Sequence, residues 1–249
     1  MDFKNKTVVI TGGSRGIGEA CVRAFQRDGA NVVILDLSQP ALNDDGILYL
    51  ECNVSVSAAV ESAMKTVYEK FGSIHYLVNN AGIQRYGSVT NTSEEDWDLV
   101  MNVNLKSYYL CARFAIPFMQ KSGGGVVINI SSVQAFVTQQ NVSAYATAKT
   151  AILGLTRSIA IDYAPAIRCI TVCPGTVDTP MLRSSLALSA DPGAVMKECV
   201  DMHLLERIGK PDEVAATVKF LCSDAAAFIT GESIRVDGGL GIMIQGSKK

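Results

Sequence analysis

The chain has 249 residues, with 22 Lys and Arg against 24 Asp and Glu for a formal charge of −2, and is 48% apolar with only 18% charged residues. That length fits one large α/β domain, and the apolar share supports a sizeable core and argues against disorder. A nearly balanced charge without a long basic run argues against a nucleic-acid partner, which needs a clustered positive surface.

The opening "MDFKNKTVVITGG" carries an apolar run of four residues, which reads as a first strand and not as a signal peptide. No apolar stretch reaches the roughly 18 residues of a membrane span, so no membrane partner is expected. Seven short β-branched runs follow one another: 7–11, 31–36, 47–52, 74–80, 125–131, 167–175 and 233–237. Several are almost continuously apolar, as strands covered on both faces of a parallel sheet should be. Helical patterns alternate with them near 17–29, 56–71, 94–120, 143–163 and 211–222, which predicts a doubly wound, Rossmann-like seven-stranded parallel sheet with helices on both faces. No linker or repeat interrupts residues 1–249, so a single catalytic domain is expected. Residues 176–210 break the rhythm as a long insertion at the carboxyl end of the sixth strand, where such sheets bind ligands, and read as a substrate lid.

Cys21, Cys52, Cys111, Cys169, Cys173, Cys199 and Cys222 are scattered without a CxxC pair, and His75 and His203 are the only histidines, so no metal site is expected. Cys169 and Cys173 read as buried structural thiols, and this much unpaired thiol suits a reducing cytoplasm.

"TVVITGGSRGIGEA" runs strand, glycine turn, helix. Gly12, Gly16 and Gly18 let the backbone approach a pyrophosphate at a helix N-terminus, where unpaired N–H groups favour anions, and Ser14, Arg15 and Ile17 share that loop. Asp36 ends the second strand 18 residues after Gly18. Its carboxylate can accept from the adenosine ribose hydroxyls and repel a 2′-phosphate, and Leu37 supplies no cation in compensation. NAD is therefore favoured over NADP, although Arg15 weakens that preference.

The segments "TGGSRGIG" (11–18), "NNAG" (79–82), "NVNL" (102–105), "ISS" (130–132), "YATAK" (145–149) and "PGTVDT" (174–179) together resemble the short-chain dehydrogenase/reductase family, over essentially the whole chain. The resemblance implies a catalytic tetrad of Asn104, Ser132, Tyr145 and Lys149, with Ser131 as the runner-up serine. It implies that Asn80, Ala81, Gly82 and Ile130 lie along the cofactor, and that Pro174, Gly175, Val177 and Thr179 border the nicotinamide. Asn53, followed by Val54, stands where this family often has Asp beside the adenine, and its side-chain oxygen can still accept from the adenine amino group. A homotetramer built on the long helices and the last strand is also implied. The apolar tail 240–246 would be awkward if exposed and is expected to pack on a neighbouring subunit.

Tyr145 and Lys149, four apart on a helix, share a face. A free tyrosine has a pKa of about 10; an ammonium and the positive nicotinamide ring favour the phenolate, and a drop of about three units needs roughly 4 kcal/mol. Alcohol oxidation with Tyr145 as base follows, with Ser132 holding the same oxygen and Lys149 gripping the cofactor ribose; the family resemblance implies that Asn104 holds a water linking Lys149 to solvent.

For the substrate, Gln84, Gln134, Gln139, Gln140 and Asn141 supply amides suited to a polyhydroxylated small molecule, with Gln84 and Gln134 the better candidates and Gln139 and Gln140 better read as facing water. "ISSVQA", "IAIDYAP" and "IRCITVCPGTVDTPMLR" resemble aldose (aldohexose) dehydrogenases and 2-keto-3-deoxy-sugar-acid dehydrogenases. Arg183 either pairs a substrate carboxylate or caps its loop, and His203 either reaches substrate or is structural. An acyl-carrier-protein ketoreductase would share the tetrad but prefer NADP. A non-catalytic NAD-binding protein would have no need of the tetrad.

Overall fold

The computed structural model describes residues 2–41 and 46–243. One sheet contains β1 (Thr7–Thr11), β2 (Asn31–Asp36), β3 (Ile47–Glu51), β4 (Tyr76–Asn79), β5 (Gly125–Ile130), β6 (Ile167–Pro174) and β7 (Ser233–Val236). All neighbours pair in parallel, in the order β3-β2-β1-β4-β5-β6-β7. The predicted sheet is thus present, with strand ends differing by a residue or two.

The continuous apolar strands are explained by two cores. Successive side chains of a strand point to opposite faces. Val8 and Ile10 enter one core and Val9 the other; Val32 and Ile34 divide from Val33 and Leu35 in the same way. The first core is closed by α1 (Gly16–Arg27) and α8 (Pro211–Cys222), the second by α2 (Ser57–Phe71), α4 (Ser107–Lys121) and α5 (Ser143–Tyr163).

The pattern at 94–120 resolves into α3 (Glu94–Met101), a π-helical turn at Asn102–Lys106, and α4. Ser93 caps α3 by accepting from the Asp96 N–H at 3.1 Å. The insertion 176–210 contains two helices that are not among the helical patterns named above, α6 (Pro180–Leu186) and α7 (Pro192–Asp201). Each opens on a proline after a capping residue, Thr179 or Asp191, a combination suited to a helix start.

A buried polar chain fixes α5 to the sheet. Asn79 donates to Asn129 at 2.9 Å, Asn129 donates to Thr156 on α5 at 2.9 Å, and Thr171 on β6 donates to the same Thr156 hydroxyl at 2.6 Å. All four are fully buried, so each bond that is lost leaves a desolvated polar atom, which makes the register of α5 costly to change.

All seven cysteines are free and buried, as expected. Among the described residues no helix is long and apolar enough to cross a membrane. Of the tail 240–246, only 240–243 fall within the described residues; the proposed packing of the rest lies outside them.

Candidate active site

The strand order reverses between β1 and β4, and a cleft of about 710 Å³ opens there along the carboxyl ends of the strands, where doubly wound sheets bind ligands.

Its floor is the glycine turn. Gly12 has φ +64°, and a Cβ there would stand 2.9 Å from Ala81 Cα; at Gly18 it would stand 2.1 Å from the Gly12 carbonyl oxygen. No side chain caps α1, so the first-turn N–H groups at Gly16 and Ile17 face the cleft without an acceptor of their own, as an anion site requires. Asn80 holds the adjoining loop by donating to the carbonyls of Thr11 and Gly12, both at 3.0 Å. The Thr11 hydroxyl accepts from the N–H groups of Asn80 and Ala81. The cradle is therefore preshaped for a dinucleotide pyrophosphate.

At its far end the two Asp36 oxygens accept from the Ser14 N–H at 3.0 Å and the Ser38 N–H at 3.1 Å. Each oxygen keeps a second lone pair for a ribose hydroxyl. Arg15, Leu37, Asn53 and Val54 line this end, whereas Ser14 and Gly18 support it from behind. Asn53 differs from the reading given above. Its side-chain oxygen already accepts from the Ser55 N–H at 3.1 Å and the Ser55 hydroxyl at 2.7 Å, so its uncommitted group is the amide nitrogen.

At the other end Ser132, Tyr145 and Lys149 come together, bordered by Gly82, Ile130, Pro174, Gly175, Val177 and Thr179. Ser131 is turned away, its hydroxyl donating to the Lys149 carbonyl at 2.7 Å, which leaves Ser132 as the serine facing Tyr145. Lys149 is 3% exposed and donates to the Ile130 carbonyl at 2.9 Å and the Tyr108 hydroxyl at 3.4 Å. Tyr108, fully buried one helical turn after Asn104, was not foreseen. Asn104 lies beneath the cleft and does not line it. Its side chain accepts from the Ile83 N–H at 2.8 Å and donates to the Ile83 carbonyl at 2.9 Å.

In the chain alone, burial dominates the electrostatics of this pair. Burial pushes the Tyr145 phenol up to about 12; a hydrogen bond from Ser132 opposes this and Tyr86 adds to it. Burial pulls Lys149 down to about 7, against a smaller opposing pull from Cys173. Desolvation disfavours the charged form of each group, and it outweighs the attraction of phenolate for ammonium that spacing alone suggested.

Three predicted substrate residues do not line the cleft. Arg183 forms a two-bond ion pair with Asp178, 3.1 and 3.2 Å, at the start of α6. His203 is 1% exposed, and its Nε2 accepts from the Thr176 N–H at 3.1 Å. Its Nδ1 therefore carries the proton and donates to the Cys199 carbonyl at 2.6 Å. Asn141 is exposed, with φ +60°, and its carbonyl accepts from the Gly87 N–H. Gln84 and Gln134 do line the cleft, joined by Tyr86 and, from the lid, Leu182, Leu186, Val195, Cys199 and Met202. The lid residues recur at helical spacing, i to i+4 in α6 and i, i+4, i+7 across α7, a signal the sequence did carry.

A family model described as enoyl-(acyl carrier protein) reductase matches residues 12–241. The ligand-free structure of Thermoplasma acidophilum aldohexose dehydrogenase superposes with a TM-score of 0.95 at 42% identity, over 99% of this chain and 98% of that one. A meso-2,3-butanediol dehydrogenase of Serratia marcescens is 37% identical over 96% of each chain. A dehydrogenase/reductase SDR family member 6 of Danio rerio is 35% identical, over 94% of this chain and 96% of its own length. A parallel sheet of this order, a glycine cradle for a dinucleotide, a buried Ser–Tyr–Lys cluster and these likenesses together place the chain in the short-chain dehydrogenase/reductase family, as an oxidoreductase that uses a nicotinamide cofactor on a small-molecule substrate.

Proposed function

We propose that the protein is an NAD-dependent sugar dehydrogenase that oxidises the anomeric hydroxyl of an aldose to give the lactone. One observation carries this reading. The Gln84 Nε2 and the Gln134 Oε1 are buried and have no hydrogen-bond partner among the described residues, and both side chains line the cleft beside Tyr145. A buried donor and a buried acceptor left unpaired cost about 1–3 kcal/mol each. Sugar hydroxyls both donate and accept, and would satisfy the two together. An acyl chain would leave both unpaired, which disfavours the acyl-carrier reading. The structural likeness to an aldohexose dehydrogenase supports the same choice.

NAD is favoured by Asp36, whose negative charge faces the position of a 2′-phosphate. When bound, the nicotinamide supplies the hydride acceptor and, in its oxidised form, a positive ring that favours the phenolate. Tyr145 takes the hydroxyl proton while the electron pair of the C–H bond leaves as hydride and the C=O bond forms. Ser132 donates to the same oxygen. Lys149 holds the cofactor ribose, and Asn104 keeps Ile83 and Gly82 beside it. In reduction, Tyr145 returns the proton. Oxidation of a 2-keto-3-deoxy sugar acid is the second reading; the cation expected to serve it, Arg183, is already paired with Asp178.

The whole chain would act as one catalytic domain with 176–210 as its lid, and seven reduced thiols fit a cytoplasmic location. Tyr109 on α4 and Ile161 on α5 are 45% and 80% exposed, which suits burial between the long helices of a homotetramer; light scattering in solution tests that assembly. The function is tested with Gln84→Leu and Gln134→Leu. Each should lower kcat/KM for aldoses by about tenfold, the worth of one hydrogen bond, without changing NAD affinity. Unchanged aldose turnover in both variants would count against a sugar.

A further inference from the structure

The segment after Gly82 is pinned on all sides. Ile83 is clamped by both side-chain atoms of Asn104. Arg85 pairs with Asp96 of α3 at 3.2 Å and donates to the Gln84 carbonyl at 3.0 Å. Gly87 donates to the Asn141 carbonyl at 2.8 Å, and a side chain there would meet Thr92 at 2.4 Å.

Between these anchors the backbone is not helical. Gln84 and Tyr86 both line the cleft. Tyr86 is 48% exposed, and its hydroxyl has no hydrogen-bond partner among the described residues. A phenol held on a rigid segment, free at its polar tip and facing the cleft, is placed to contact substrate. Its nearness to the reacting group follows from its neighbour Gly87, which bridges to Val142 and accepts from the Ser143 N–H at 3.2 Å, at the first turn of α5 that carries Tyr145; in keeping with this, Tyr86 helps to push the Tyr145 phenol up.

We propose that the Tyr86 hydroxyl is a specificity group that binds the substrate hydroxyl on the carbon next to the one being oxidised, so that the cleft selects an α-hydroxylated (vicinal-diol) alcohol. The position follows from reach. Tyr145 takes the reacting hydroxyl, and a second phenol close to it meets the adjoining oxygen before any more distant one. Gln84, on the same segment, and Gln134, in the turn after Ser132, are then left for hydroxyls further along. This rests on the hydroxylated-substrate reading above, but it does not require a sugar.

The test uses Tyr86→Phe, which removes one oxygen atom and keeps the ring. Two substrate pairs are compared with the unmodified protein: D-mannose or D-glucose against 2-deoxy-D-glucose, and 2,3-butanediol against 2-butanol. For the vicinal member of a pair, kcat/KM should fall about five- to tenfold, mainly through KM, as loss of one neutral hydrogen bond predicts. For the deoxy member it should change less than about twofold, and NAD affinity should be unchanged, which a purely structural role of Tyr86 would not give. Equal losses on both members of a pair, or none, would overturn the proposal. Selective loss with the butanediol pair when no aldose is oxidised would overturn the sugar reading and leave Tyr86 its role. Turnover of neither vicinal substrate by the unmodified protein would overturn the diol reading itself.

Discussion

The Lys149 Nζ lies 5.6 Å from the centre of the Tyr145 ring, and its hydrogen bond runs to the Ile130 carbonyl, 2.9 Å away. Lysine and tyrosine are neighbours in a shared dry pocket, held so that the amine is anchored to β5 and the phenol is left to face the cleft. Both are pushed towards their neutral forms by burial. The chain alone therefore does not set up a phenolate; it sets up a pair whose ionisation responds strongly to charge placed beside it.

Replacing Tyr145 with Phe keeps the ring packing and removes the proton acceptor. Turnover should fall by roughly 10²–10⁴, the usual worth of a general acid–base group, with NAD binding intact. Single-turnover kinetics with equilibrium cofactor titration would check this. Near-normal turnover in a folded Tyr145→Phe protein would refute the proposed chemistry.

Lys149 makes stability depend on pH in a defined direction. Its folded pKa of about 7 lies below the ordinary 10.5. Between these values the unfolded chain binds the proton and the folded chain does not, so this residue's contribution to stability rises with pH from about 7 to about 10.5. Below pH 7 both states are protonated, and the burial penalty is felt in full. The cysteines work the other way, because burial raises Cys21 and Cys169 to about 12 from 9.0 and their contribution falls above pH 9. Urea denaturation of the native protein and of Lys149→Met at pH 6, 7.5 and 9 isolates the lysine, since the thiols are common to both. The native protein should gain on the variant as pH rises; a constant difference would show that Lys149 is not held neutral.

At the adenosine end, Asp36→Asn removes the charge and keeps the size. NAD should bind roughly tenfold more weakly and NADP more tightly, narrowing the preference by at least about tenfold in kcat/KM. Steady-state kinetics with both cofactors reads this out. An unmodified protein that already prefers NADP would contradict the role given to Asp36.

In the lid, Arg183 and His203 should part company. Arg183→Ala breaks an exposed, solvent-screened ion pair and should leave kcat/KM within about twofold, for aldoses and sugar acids alike. His203→Ala leaves the Thr176 N–H and the Cys199 carbonyl unpartnered in a buried site, and should destabilise the protein by about 2–4 kcal/mol in denaturant titration. A large activity loss at Arg183 would restore its reading as a carboxylate anchor.

How far the sequence discloses this site follows from which contacts are local. The strands were legible because each alternates between two apolar cores, so "TVVIT" and "NVVILD" leave no other reading. Gly12, Asp36 and the Tyr145–Lys149 spacing were legible because strand ends and one helical turn fix them within a few residues. Arg183, His203 and Asn141 were not. The side chains of Arg183 and His203 take the partners the fold brings, Asp178 and Thr176, and Asn141 is held through its backbone carbonyl by Gly87; composition does not rank those partners above a substrate. Tyr108 and Tyr86 stood in plain view as an unremarkable aromatic pair; only the buried amine above one and the open cleft beside the other give them meaning. Spacing likewise reports that Tyr145 and Lys149 are neighbours but not the depth of burial that pushes both towards their neutral forms.

The most direct test of the account is the rate of NADH formation by the purified protein with D-mannose, D-glucose and a 2-keto-3-deoxy sugar acid, each with NAD and again with NADP. Oxidation of an aldose with a clear preference for NAD is the predicted result. Turnover of the sugar acid alone, or of 3-hydroxyacyl thioesters with NADP, would contradict it.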